Sequence, residues 1–134
     1  MRAALLVLVL LLPGVAAGQD DAVAIRSIIE AQMQAFQHDD GEAAFSFAAP
    51  VIRERFGTAE NFMAMVREGY RPVYRPRDVR FGALASIGGQ LAQRVALVGP
   101  DGVPVTAVYL MEQQPDGTWR IAGCYLLVSE DKTT

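Results

Sequence analysis

Apolar residues recur at intervals of three and four along the first half of the chain and at intervals of two along the second half. Ile25, Ile28, Ile29, Met33 and Phe36 keep helical spacing and lay an apolar stripe on a helix over 20–38, with Gln32, Gln34 and Gln37 on its polar side. Asp20 and Asp21 suit the positive end of that helix's dipole. Asp39 or Asp40 can cap a second helix over 42–48, which carries Phe45 and Phe47 and stops at Pro50, because the residue before a proline avoids the helical region. A short helical piece over 51–56 ends at Gly57. Thr58 is a good N-cap for a fourth helix, with Phe62, Met65 and Val66 inward and Gly69 closing it.

After Arg80 the period changes, and strands are expected over 81–87, 91–98, 103–113 and 118–128. Gly88-Gly89, Pro100-Asp101-Gly102 and Pro115-Asp116-Gly117 separate them. Proline presets the first turn position and glycine supplies the positive φ that closes such hairpins. Alternation puts Val105, Ala107, Tyr109 and Met111 on one face of the third strand and Thr106, Val108, Leu110 and Glu112 on the other. In the fourth strand it groups Trp119, Ile121, Gly123, Tyr125 and Leu127 against Arg120, Ala122, Cys124, Leu126 and Val128. Apolar residues on both faces predict a central strand. Helices followed by a meander mean an α+β fold, with helices packed on one face of a curved antiparallel four-stranded sheet. A bent sheet over helices leaves a cone with an open end, a common place for a small-molecule pocket.

The first residues lie outside this pattern. Arg2 precedes an unbroken apolar run over 3–12, then Pro13-Gly14 and the small residues Val15-Ala16-Ala17-Gly18. This is the arrangement of a secretory signal cut after Ala17 or Gly18. The run is about half the roughly 20 residues that span a bilayer, so no membrane span is expected once residues 1–18 are removed. The expected location is periplasmic or secreted. Residues 19–128 then form one domain, and 129–134 a tail with nothing to bury.

Composition narrows the partners. The chain of 134 residues carries 12 Lys+Arg and 15 Asp+Glu, a net charge of −3 that becomes −4 when the segment with Arg2 is removed. That balance argues against nucleic-acid binding, which needs a basic footprint. A single cysteine excludes an intrachain disulfide framework and a cysteine-based zinc cluster.

Particular residues carry a resemblance. The stretch Ala-Phe-Gln-His-Asp-Asp-Gly-Glu-Ala-Ala-Phe at 35–45, after the first helix and before the meander, resembles the nuclear transport factor 2-like (cystatin-like) superfamily. Phe62-Met-Ala-Met-Val-Arg-Glu-Gly-Tyr70, Pro72-Val-Tyr-Arg-Pro-Arg77 and Trp119-Arg-Ile-Ala-Gly-Cys124 resemble the bacterial family called domain of unknown function 4864, over about residues 22–128. The superfamily resemblance implies a cone-shaped α+β fold, frequent homodimers through the sheet, and a pocket reused by isomerases, dehydratases, carriers and inert adaptors. It does not choose among them.

The most unusual segment is 67–80, with Arg67, Arg71, Arg75, Arg77 and Arg80 and only Glu68 and Asp78 to balance them. Tyr70-Arg71-Pro72-Val73 is nearly repeated as Tyr74-Arg75-Pro76-Arg77. The prolines predict a stiff, extended connector that holds Tyr70, Arg71, Tyr74, Arg75 and Arg77 as an anion-binding strip at the pocket rim. The competing reading pairs these arginines with the protein's own acids and lays their stems on the core.

His38-Asp39-Asp40 is a His–carboxylate group, but its place at a helix exit suits capping better than catalysis. With a single histidine it offers two metal ligands at most, so no metal or other cofactor is assigned. Glu112 can face inward or lie solvated opposite Arg120. Cys124, with no nearby histidine or helix N-terminus, reads as a buried small hydrophobe. Trp119, Tyr125, Tyr109, Phe81, Met63 and Met65 read as core and cone wall.

The function expected from these readings is non-enzymatic. It is the binding of a small anionic or amphipathic molecule, or of a partner protein, with no catalytic residue assigned. One alternative is a small lyase or isomerase using Asp39, Asp40, Glu112, Tyr70 or Tyr74. Another is a structural homodimer through Tyr109, Leu126 and Val128 on the third and fourth strands.

Overall fold

The computed structural model describes residues 18–128. The expected signal segment and the tail over 129–134 lie outside the described residues, apart from Gly18. Five helices come first: α1 (Gln19–Gln37), α2 (Gly41–Ser46), α3 (Pro50–Phe56), α4 (Ala59–Gly69) and α5 (Arg71–Tyr74). Four strands follow: β1 (Asp78–Ile87), β2 (Gln90–Val98), β3 (Pro104–Gln113) and β4 (Trp119–Val128). They form an open antiparallel sheet in the order β1-β2-β3-β4, an α+β architecture.

The caps explain where the helices stop and start. α1 ends in a Schellman motif: the Asp40 N–H donates to the Ala35 carbonyl and the Asp39 N–H to that of Phe36. Asp39 takes the left-handed position usually held by glycine, at φ 51°. Asp40 then caps α2 through the Ala43 N–H, and Thr58 caps α4 through the Asn61 N–H. Pro50 opens α3 instead of merely closing α2, since the N–H it lacks would be unbonded in a first turn.

The same rule corrects the connector after α4. It is not extended throughout. Pro72 sits in the first turn of α5, where the Tyr74 N–H donates to the Tyr70 carbonyl, and Val73 is buried beneath it. Burial of Val73 outweighs the mild pre-proline bias at Arg71.

Positive φ at Gly88, Gly89, Gly102 and Gly117 closes the three hairpins where the turn residues place them. The inner face of β3 is Val105, Ala107, Tyr109 and Met111, as alternation predicts. β4 departs from simple alternation. Leu110 pairs with Gly123 but Met111 pairs with Ile121, so Ala122 is a bulged extra residue. Beyond it every side chain changes face. Cys124 and Leu126 turn inward with Trp119 and Ile121, while Tyr125 and Leu127 turn outward, 59% and 52% exposed. Tyr125 is therefore not core. β4 is also an edge strand, not a central one; its start is covered by the α2–α3 link, where the Ala49 N–H donates to the Ile121 carbonyl.

Helices pack on the inner face of the sheet. Ile25, Ile29 and Phe36 of α1 are fully buried. Phe62 joins the layers of helices, with its ring centroid 6.1 Å from Phe36, 5.4 Å from Phe45 and 5.8 Å from Phe56.

Candidate functional site

A cavity of about 370 Å³ lies between this helical layer and the β3–β4 end of the sheet. That volume is at the lower end of small-molecule sites. Phe36 of α1, Ile52 and Phe56 of α3, and Phe62, Met65 and Val66 of α4 line its helical side. The β4 bulge shapes its sheet side, carrying Ile121 through Tyr125 along the wall beside Tyr109.

Besides the outward-turned Tyr125, five side chains break the apolar lining. Gln32 is 4% exposed, not on the polar side of α1 as its residue type suggests; its amide nitrogen donates to the Ala44 carbonyl at 3.1 Å. The Tyr70 hydroxyl donates to the Cys124 carbonyl at 3.1 Å, which ties the end of α4 to β4. Burial pushes the Tyr70 phenol above its ordinary range. Tyr109 is fully buried, and burial raises its phenol well above 10.0. Burial pushes the Cys124 thiol up to about 12, which removes it as a nucleophile at neutral pH. Arg55, exposed on the last turn of α3, is the cation of the lining. It forms no ion pair among the described residues. Among the described residues the lining holds no carboxylate and no histidine.

The structure scatters the five residues of the expected strip. Tyr70 alone lines the cavity. Arg71 is exposed at the start of α5. The Tyr74 hydroxyl donates to Asp39, on which Arg75 also closes at 3.1 Å and Arg67 at 3.7 Å. Arg75 donates to the Phe36 carbonyl at 2.5 Å and lies over the Tyr74 ring, 4.0 Å from its centroid. α1 has no basic residue in its last turn, and Arg75 supplies the missing cation from 39 residues away. Arg77 is exposed near the β2–β3 turn; its side chain approaches Gly102, and its N–H donates to the Val98 carbonyl.

The carboxylates considered for acid–base work lie outside the lining. Asp39 and Asp40 serve the α1–α2 joint, and Glu112 is exposed and accepts from Gln114 at 3.2 Å. His38 bonds back to the Gln34 carbonyl. Among the described residues no group of three or more His, Cys, Asp or Glu side chains comes together to hold a metal ion. A second hollow beside the β3–β4 turn has two arginines already engaged: Arg120 donates to the Ser46 carbonyl, and Arg53 lies over the Phe45 ring at 5.2 Å.

Sequence reasoning missed Gln32 and Arg55. Gln32 had a signal, because it continues the line Ile25, Ile29, Phe36 at spacings of four, three and four. Arg55 had none, since two arginines alternate with acid and apolar residues in α3 without distinction.

Comparison with known proteins gives one relationship. The sequence pattern of the family described as Domain of unknown function (DUF4864) matches residues 18–134. No curated protein matches, and no solved structure does. No helix among the described residues is long and apolar enough to cross a membrane.

Proposed function

Because the chain belongs to the DUF4864 family, whose description assigns no activity, we propose its function from its own cavity: the non-enzymatic binding of a small amphipathic anion. The observation that carries this reading is an apolar cavity with one guanidinium, Arg55, in its wall that forms no ion pair among the described residues. An alkyl or aryl body would fill the space among Phe36, Phe62 and Met65, with its carboxylate at Arg55. The binding reading is preferred to a lyase or isomerase because burial holds Tyr109 and Cys124 protonated, and the lining residues include no carboxylate or histidine among the described residues. The helices-then-meander order supports placement in the nuclear transport factor 2-like superfamily, with the cavity at the open end of its cone. The Arg2 and apolar-run pattern of the first residues supports export, to the periplasm or beyond.

Titration of the purified protein with octanoate and with octanol tests the reading. Octanoate binds more tightly, and Arg55→Ala weakens octanoate by roughly three- to tenfold while leaving octanol unchanged. Failure of both to bind removes the proposal.

A homodimer is a second reading, favoured by the outward face of the sheet. Tyr109 and Leu126, expected in that interface, point into the core. Val108, Leu110, Tyr125 and Leu127 face outward, and the last two are well exposed. Light scattering checks it: a dimer is expected, with Leu127→Asp shifting it to monomer. A wild-type monomer at high concentration excludes it.

A further inference from the structure

Tyr109 has the one buried side-chain polar atom among the described residues that makes no hydrogen bond. Leaving such a donor unpaired costs about 1–3 kcal/mol, and native folds rarely tolerate it without a use. Its place on the inner face of β3 is fixed by the ladder. Directly across stands Cys124, and both residues line the cavity. The thiol is a weak acceptor, close enough to influence the phenol's titration but not placed for a hydrogen bond of normal geometry. The neighbouring polar groups are already committed: Tyr70 to the Cys124 carbonyl, and the Gln32 amide nitrogen to Ala44. The wall of an otherwise oily cavity therefore includes a tyrosine whose covered hydroxyl has a proton to give and only the weak Cys124 thiol beside it. Burial keeps that proton on the phenol across the physiological range.

We infer that the cavity recognises a second feature of its ligand, an uncharged hydrogen-bond acceptor such as a ketone oxygen on the buried part of the molecule, which the Tyr109 hydroxyl meets. This rests on the amphipathic-anion reading and narrows it to oxygen-bearing amphiphiles. The hydroxyl is fully covered. A ligand oxygen that reaches it replaces a contact with a weak thiol by a hydrogen bond to a strong acceptor. The arrangement discriminates because an alkyl chain leaves the donor unpaired, whereas an oxygen at the right carbon satisfies it.

The test compares octanoate with its mono-oxo isomers, the ketone at each internal carbon in turn, by calorimetry on wild type and Tyr109→Phe. In wild type at least one oxo isomer binds roughly five- to tenfold more tightly than octanoate. Tyr109→Phe erases that preference, so that no oxo isomer binds more tightly than octanoate does to the same variant. The thermal stability of the unliganded variant provides the folding control: it stays level or rises, because an unpaired buried hydroxyl is removed. Octanoate binding without preference for any oxo isomer overturns the inference and spares the parent reading. A preference that survives Tyr109→Phe overturns it too. A marked loss of stability in Tyr109→Phe shows the hydroxyl satisfied inside the protein and also overturns it. Binding by no member of the series removes both proposals together.

Discussion

Tyr-Arg-Pro occurs twice in this chain, at 70–72 and at 74–76, and the two copies have different fates. In the first, tyrosine faces the cavity and arginine stands in solvent. In the second, tyrosine and arginine close on Asp39 and the end of α1. The difference comes from where each proline falls. Pro72 opens the single turn of α5 and lets the chain stay helical; Pro76 follows that turn, and the chain runs on into β1. Identical residues therefore point to different neighbours. Local sequence identity does not carry functional equivalence when the backbone between the copies changes conformation.

Arginine substitutions test that contrast most severely. Arg75→Ala removes a charge-assisted bond to the Phe36 carbonyl and the cation at the α1 C-terminus, and is expected to cost about 2 kcal/mol. Arg71→Ala removes an exposed guanidinium and is expected to stay within about 0.5 kcal/mol. Urea denaturation of the two variants reads this directly. Equal losses would mean that the copies are not distinguished as the contacts indicate.

The same reasoning shows what was legible in the sequence. Hairpin positions were readable because glycine at a positive φ is a local requirement, met within each Asp-Gly or Gly-Gly turn. Asp40 and Thr58 were readable as caps for the same local reason. The faces of β4 were not, because the bulge at Ala122 is set by its pairing with β3 and by the α2–α3 link, neither marked in the β4 sequence. One undetected bulge turned the Cys124 side chain inward and left the Tyr125 side chain largely in solvent. The strip was misplaced by a similar route. Counting arginines found the density of charge, but the acid on which two of them, Arg67 and Arg75, close is Asp39, at the exit of the first helix and far from them in sequence.

Acid sensitivity offers a smaller and more selective comparison. The hydrogen bond from Tyr74, then the charges of Arg75 and Arg67, hold the Asp39 carboxyl below its ordinary 3.8. A carboxyl whose folded pKa is depressed contributes stability that is fully present above the unfolded value and is lost as the pH falls through the folded one. Wild type is therefore expected to be more stable than Asp39→Asn above pH 3.8, and the two urea midpoints converge as the solution is acidified below it. Asparagine tolerates the left-handed backbone at this position, so the substitution removes charge and leaves the turn intact. Asp116, held low by its bond from Thr118, adds acid dependence of the same sign in a separate turn, and Asp39→Asn leaves that part in place. The tyrosines separate the copies once more. Tyr74→Phe removes the largest cause of the depression and flattens the acid limb toward that of Asp39→Asn; Tyr70→Phe, whose hydroxyl serves Cys124, leaves the limb unchanged. If both tyrosine variants flatten it equally, the two copies share one electrostatic network and the division between a cavity-facing and a helix-locking half is lost.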